Sequence, residues 1–222
     1  MDWQALFLSL YLAALTVVIL LPISIAIGRW LAVTRLRARG LIEAMLSLPL
    51  VLPPTVIGFY LLLAFGGRSL FGALYERVFG QSLVFSFAGL LIASVLINLP
   101  FAVQPTQRAF ESIGPQLREA AESCGLSWWR AMRKIELPLA WPGILTGAVL
   151  TFAHTLGEFG VVLMVGGNIP GETRTIAVAI YDRVQAFDDD GAARMAAALL
   201  TISLAAIGAT FFLSARRESR DG

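Results

Sequence analysis

The chain is organised around one polar island between apolar segments, residues 119–138, which reads EAAESCGLSWWRAMRKIELP. It carries Glu119, Glu122, Arg130, Arg133, Glu136 and the only lysine of the chain, Lys134. Such a set suits charge-assisted contacts with a soluble partner. It does not suit catalysis. Lys134 follows Arg133 rather than a glycine-rich run, so there is no GxxxxGK[ST] loop for nucleotide phosphates. With 1 histidine and 1 cysteine, the familiar metal-binding spacings are out of reach. No serine sits in a His/Asp setting that reads as a catalytic triad. The other polar feature is His154 with Glu158, four residues apart and so on one face of a helix. Ionisable groups inside apolar sequence are costly and point to function by default. The competing reading is that they pair with each other or cap a helix break between Gly157 and Gly160. The chain is expected to be non-catalytic, with no metal or cofactor of its own.

The elements that position these groups read as membrane spans. Of the 222 residues, 57% are hydrophobic and 14% charged, and mean hydropathy is +0.75; soluble domains average near a quarter charged. Residues 3–28, 44–67, 78–107 and 195–215 hold no charged residue, and residues 137–157 hold only His154. A crossing helix needs roughly 20 such residues. The pattern predicts an all-α membrane protein with five transmembrane helices, at residues 3–28, 41–65, 87–103, 139–159 and 195–215. They form one domain, residues 1–222, with no separate soluble part. Basic residues follow the first span (Arg29, Arg35, Arg37, Arg39), the third (Arg108, Arg118, Arg130, Arg133, Lys134) and the last (Arg216, Arg217, Arg220). The positive-inside rule places those segments in the cytoplasm, with the N-terminus outside and the C-terminus inside. Charge that alternates with spans leaves no continuous basic face for nucleic acid. MDWQALF has no basic stretch and no clear cleavage site, so the first apolar run is expected to be a retained span. Cys124 has no intramolecular disulfide partner and is expected to be a small packing residue.

Within the spans, Pro22 is a candidate kink. Pro49, Pro53 and Pro54 remove backbone donors and break the second span. Irregular backbone in lipid is tolerated only where protein or a water-filled cavity satisfies it, so Pro53, Pro54 and Thr55 either line a pathway or pack at a central interface. SLFGALYERVFG, within an external loop at 66–87, reads as an amphipathic helix on the membrane surface. Asn98 reads first as an interhelical hydrogen bond and second as a pathway group. The island reads as a helix at 116–124, a left-handed turn at Gly125 and a second helix at 128–135 capped by Ser127. Pro138 and Pro142 then open the fourth span. Gly143 and Gly147 allow close helix approach, within the chain or at a dimer axis. GGNIPGETRT, residues 166–175, reads as an external turn, and 176–187 as an amphipathic helix too short to span. Asp188, Asp189 and Asp190 read as a solvated turn rather than a metal site. Pro53, Pro54, Thr55, Asn98, His154, Glu158 and Asn168 are the candidates for a pathway or gate.

The island resembles the EAA loop of bacterial ABC importer permeases: EAA, three residues, Gly, nine residues, then I-x-LP. Glu119, Ala120, Ala121, Gly125, Ile135, Leu137 and Pro138 fill the fixed positions without a gap. The resemblance implies a MetI-like permease of the cytoplasmic (inner) membrane, working as a homodimer. Its coupling loop, residues 108–138, would dock on two copies of a cytoplasmic ATPase that carries the ATP and Mg. A periplasmic binding protein would dock outside. LPLVLPPTVIGFYLL and GEFGVVLMVGGNIPGETRTIAVAIY extend the resemblance over nearly the whole chain to permeases of molybdate importers. IPGETRT weighs for molybdate over sulfate or thiosulfate, while tungstate stays open as an alternative cargo. Such permeases usually carry Arg where this chain has His154; a histidine there would make the role pH-dependent. The alternative from another class is an ATP-independent oxyanion channel or carrier, which has no need of such a loop.

Overall fold

Asp2 starts the first helix, its carboxylate accepting the Ala5 amide at 3.0 Å, and α1 (Trp3–Val33) then runs for 31 residues. This is a computed structural model, which describes the backbone of residues 1–221 and the side chains of residues 1–208. Pro22 does not end α1. Arg29 therefore belongs to the helix and not to the loop that was expected to hold it.

The second span is broken as the prolines require. α2 (Arg39–Val51) and α3 (Pro54–Phe65) meet at an angle of 108° across Leu52 and Pro53. Pro49 stays inside α2. Ser69 and left-handed Gly80 cap α4 (Leu70–Phe79), the expected amphipathic helix. Leu70, Leu74 and Val78 are exposed along one side of it, as suits a membrane surface. α5 (Phe87–Glu111) passes through Pro100 and Pro105 and extends eight residues beyond the expected end at Val103.

The island forms α6 (Pro115–Ser123), the turn at Gly125, and α7 (Trp128–Ala131). Two expectations fail here. Ser127 holds the N-cap backbone position, but its side chain makes no capping bond. Pro138 and Pro142 do not open a new span either. α7 runs through a π-turn (Met132–Glu136) into α8 (Leu137–Gly157) as one helix, Trp128–Gly157. A proline ring inside an α-helix collides with the carbonyl four residues back. The wider turn, in which the Leu137 amide bonds the Met132 carbonyl five residues back, absorbs Pro138 without a break. α9 (Gly160–Gly166), α10 (Ile176–Gln185) and α11 (Asp189–Asp221) complete the chain. The basic residues Arg216, Arg217 and Arg220 lie where side chains are outside the described residues. Among the described residues, four helices are long and apolar enough to cross a membrane, or five when the bent α2–α3 pair counts as one span.

α1, α5 and α8 pack on one another at the centre of the bundle. A Cβ on Gly143 would stand 2.4 Å from the Ala109 Cβ, and one on Gly147 2.8 Å from the Ala102 carbonyl oxygen. The small-residue pair therefore serves packing of α8 on α5 within the chain. At one end of the bundle Phe110, Ile113, Met132, Ala140 and Ile144 form an apolar cluster under the island. At the other, Ala5, Leu6, Ile176, Ala179 and Met195 join α1, α10 and α11. α3 and α9 pack on α5 through Phe65, Ala93, Ile97, Val161 and Val165.

Candidate functional site

Two groups of residues carry the polar chemistry: the breaks in the middle of the bundle, and the island at its Arg29 end. The first break, at Leu52–Pro53, meets the second, at Glu158–Phe159. Pro54 packs so closely on Gly160 that a Cβ there would stand 2.7 Å from the Pro54 Cβ. Gly58 of α3 faces Met164 and Val161 of α9 in the same way. Two helices interrupted at matching depth and packed side by side are the arrangement by which membrane transporters expose irregular backbone to a pathway. Pro53, Pro54 and Thr55 are exposed in the single chain.

Glu158 works at this break. Its Oε1 accepts the Val161 amide at 3.1 Å, capping α9, and its Oε2 lies 3.7 Å from His154 Nε2. Both readings left open by the sequence, pairing and capping, therefore occur together. On its other side, His154 Nδ1 is 3.0 Å from Asn98 Oδ1. Asn98 Nδ2 donates to the Ser94 carbonyl at 2.8 Å, which leaves Oδ1 to accept and assigns the proton to Nδ1. Ser94 Oγ contacts Thr16 Oγ1 at 2.9 Å. A connected polar row thus crosses the bundle from α1 through α5 to the α8–α9 break. The His154 ring stacks on Phe101, centroids 4.1 Å apart. Its side chain is 34% exposed whereas that of Glu158 is 9%, so the imidazole is the member of the pair that presents an open face.

Asn168 does not join this row. Arg174 Nε donates to its Oδ1 at 2.6 Å, and its Nδ2 donates to Asp182 at 2.7 Å. It ties the loop after α9 to α10. Ser9 of α1 accepts the first amide of α10, that of Ile176, at 2.7 Å.

At the Arg29 end, α6 closes with a complete Schellman motif. The Gly125 amide bonds the Glu122 carbonyl at 2.9 Å and the Leu126 amide bonds the Ala121 carbonyl at 3.1 Å, with Gly125 at φ +72°. Glu119 and Ala120 face solvent and Ala121 is buried. Leu117, Trp128 and Trp129 are exposed beside Arg130, Arg133 and Lys134, an apolar and basic surface of the kind that docks proteins. Cys124 is exposed at the helix end, contrary to the packing role expected of it. Ile135 is partly buried, Leu137 packs on the cluster below, and Pro138 is exposed.

Sequence reasoning missed the residue that anchors this end. Glu136, 3% exposed, receives Arg29 Nε at 2.7 Å and Arg29 Nη2 at 2.8 Å, with Arg118 Nε at 3.8 Å. One available signal was that Glu136 is the only acid between Glu122 and Glu158. It missed too the network in which Arg39, Glu43, Gln107, Arg108 and Glu111 bind α2 to the end of α5.

Residues 19–218 match the model of the binding-protein-dependent transport system inner membrane component. The molybdenum transport system permease protein ModB of Azotobacter vinelandii is 48% identical over 97% of this chain and 95% of its own length. The protein of the same name from Escherichia coli K12 is 39% identical over 93% and 90%. Among solved structures, the inward-facing MetNI methionine ABC transporter shares the fold at a TM-score of 0.74, with 16% identity over 96% of this chain and 94% of that one. The chain belongs to the binding-protein-dependent transport system inner membrane component family, the multi-pass permeases of the inner membrane.

Proposed function

We propose that this chain is the permease of an ATP-driven importer that carries molybdate across the inner membrane. In this reading residues 1–222 form one permease domain, two copies make the pathway, and the coupling loop at 108–138 faces the cytoplasm. There Glu119, Ala120, Ala121 and Gly125 meet one of two ATPase subunits, which bind the ATP and Mg. The N-terminus and the α9–α10 loop with Asn168 face outward, toward a molybdate-binding protein. The observation that carries the cargo is the 48% identity to a relative named for molybdenum transport. The mode of transport is supported by the exposed, Schellman-capped α6 at one end and the paired helix breaks in the middle.

The physics of the pathway fits a tetrahedral dianion. Such an ion must exchange water for polar groups as it crosses, yet tight binding would stall its release. His154 is the only basic side chain from residue 137 to 173. Glu158 at 3.7 Å would offset its charge whenever the ring is protonated, which suits weak, transient contact. In this reading Pro53, Pro54, Thr55 and Asn98 shape the site around the pair, and ATP-driven closure of the partner subunits moves the breaks. Uptake of labelled molybdate under excess sulfate tests the cargo: the reading expects uptake to persist, and a collapse of uptake assigns the chain to sulfate instead.

A further inference from the structure

We propose that Glu136 is the positioning residue through which movement of α6 reaches α1 and α8, an inference that rests on reading residues 108–138 as the coupling loop. One carboxylate holds three elements here. Glu136 closes the π-turn that continues as α8. Arg29, in the last two turns of α1, grips it with a fork of two hydrogen bonds at 2.7 and 2.8 Å. Arg118, the residue before Glu119 in α6, stands 3.8 Å away and donates its Nη2 to the Phe110 carbonyl of α5 at 2.7 Å. The guanidinium of Arg29 also lies 4.8 Å from the centre of the Trp128 ring, at the start of α7.

α6 has little else to hold it. Ala121 is its one buried residue, and Leu117, Glu119, Ala120 and Glu122 all face solvent. Force applied to its outer face therefore reaches the bundle through Arg118, which holds the Phe110 carbonyl of α5 and stands within ion-pair distance of Glu136. The Glu136 side chain is 4% exposed and that of Arg29 13%. A buried ion pair is stiff in this sense: neither member can leave without stranding the other's charge out of water. The π-turn beside it departs from the regular α-helical ladder, a feature found inside helices mostly at functional sites. Displacing Arg118 accordingly drags the π-turn, and with it the start of α8, while Arg29 commits α1 to the same movement.

The test uses the whole complex, this chain with its ATPase and binding protein in proteoliposomes, and reads labelled molybdate taken up per ATP hydrolysed. Glu136→Gln keeps the shape but holds no charge for the two arginines. It should still hydrolyse ATP while uptake per ATP falls by roughly 5- to 150-fold, the usual range of coupling between sites. Glu136→Asp should recover most of the ratio. Arg118→Gln, at a more accessible position, should lower it in the same direction and covers the case in which Glu136→Gln fails to fold. A ratio equal to the parent's in these variants, or uptake and hydrolysis falling in the same proportion, overturns the proposal. A parent chain that forms no complex with an ATPase overturns the coupling reading itself, and this proposal with it.

Discussion

Gly125 allows the turn after α6, the proposed coupling turn, to be perturbed without disturbing anything packed around it. Its φ of +72° is left-handed, and a Cβ built on it meets nothing within 4 Å. A side chain at this position is penalised by its own backbone and not by neighbours. For an ordinary L-residue that penalty is roughly 1–2 kcal/mol, which raises local opening of the turn by about 5- to 30-fold. Asn tolerates this conformation better than Ala, and a β-branched residue tolerates it worst. The expected order of opening is thus Gly, then Gly125→Asn, then Gly125→Ala, then Gly125→Val. Amide hydrogen exchange at Leu126, whose N–H bonds the Ala121 carbonyl, measures it directly. Co-purification with the ATPase should weaken in the same order. Crowding would predict the reverse order for the two middle variants, because Asn is larger than Ala. Faster exchange in Gly125→Asn than in Gly125→Ala, or no change in any variant, would refute the strain argument.

Three further outcomes follow from the geometry. Gly147→Ala places a methyl 2.8 Å from the Ala102 carbonyl oxygen and should lower stability by about 1–3 kcal/mol through separation of α8 from α5, read as an earlier thermal transition in detergent. Phe187 holds a left-handed backbone, φ 57°, with its ring 92% exposed; Phe187→Gly should stabilise the end of α10 by roughly 1–2 kcal/mol, seen as slower amide exchange at Asp188. The Asp188 carboxyl is held below its usual range, first by Arg183 and then by the Gly191 amide. Its support for the start of α11 is full above the ordinary aspartate value and is lost as pH falls through the lowered one. The protection of the Gly191 amide against exchange, relative to its free rate at the same pH, should fall in acid, and Asp188→Asn should flatten that dependence.

The parts of the molecule legible in sequence are those written in local chemistry. The spacing from Glu119 to Pro138 marked the island, Gly125 its turn, Pro53 the first break, and Gly157 with Gly160 the second. Each depends on backbone limits of residues close in sequence. What misled was the same chemistry in a membrane setting. Pro142, expected to open the fourth span, sits inside a continuous helix, and Pro22, Pro100 and Pro105 likewise lie within helices without ending them, because a spanning helix can re-satisfy the carbonyls that proline frees. Pro138 hid the π-turn that accommodates it. Asn98 makes the interhelical hydrogen bond expected of it, but its partner, like the role of Glu136, was opaque for a different reason. Their partners His154 and Arg29 lie 56 and 107 residues away, and no periodicity reports such a distance. Only the packing of α8 against α1 and α5 shows that Glu136 is an anchor and that Asn98 orients an imidazole.

The central claim, a permease driven by a partner's ATP, is tested most directly by reconstitution. The chain is placed in liposomes with its ATPase and a molybdate-binding protein, and ATP-dependent accumulation of labelled molybdate is measured against the chain alone. The account predicts accumulation only when ATPase, ATP and binding protein are all present. Equal molybdate flux through liposomes that contain this chain alone, without ATP, would contradict it.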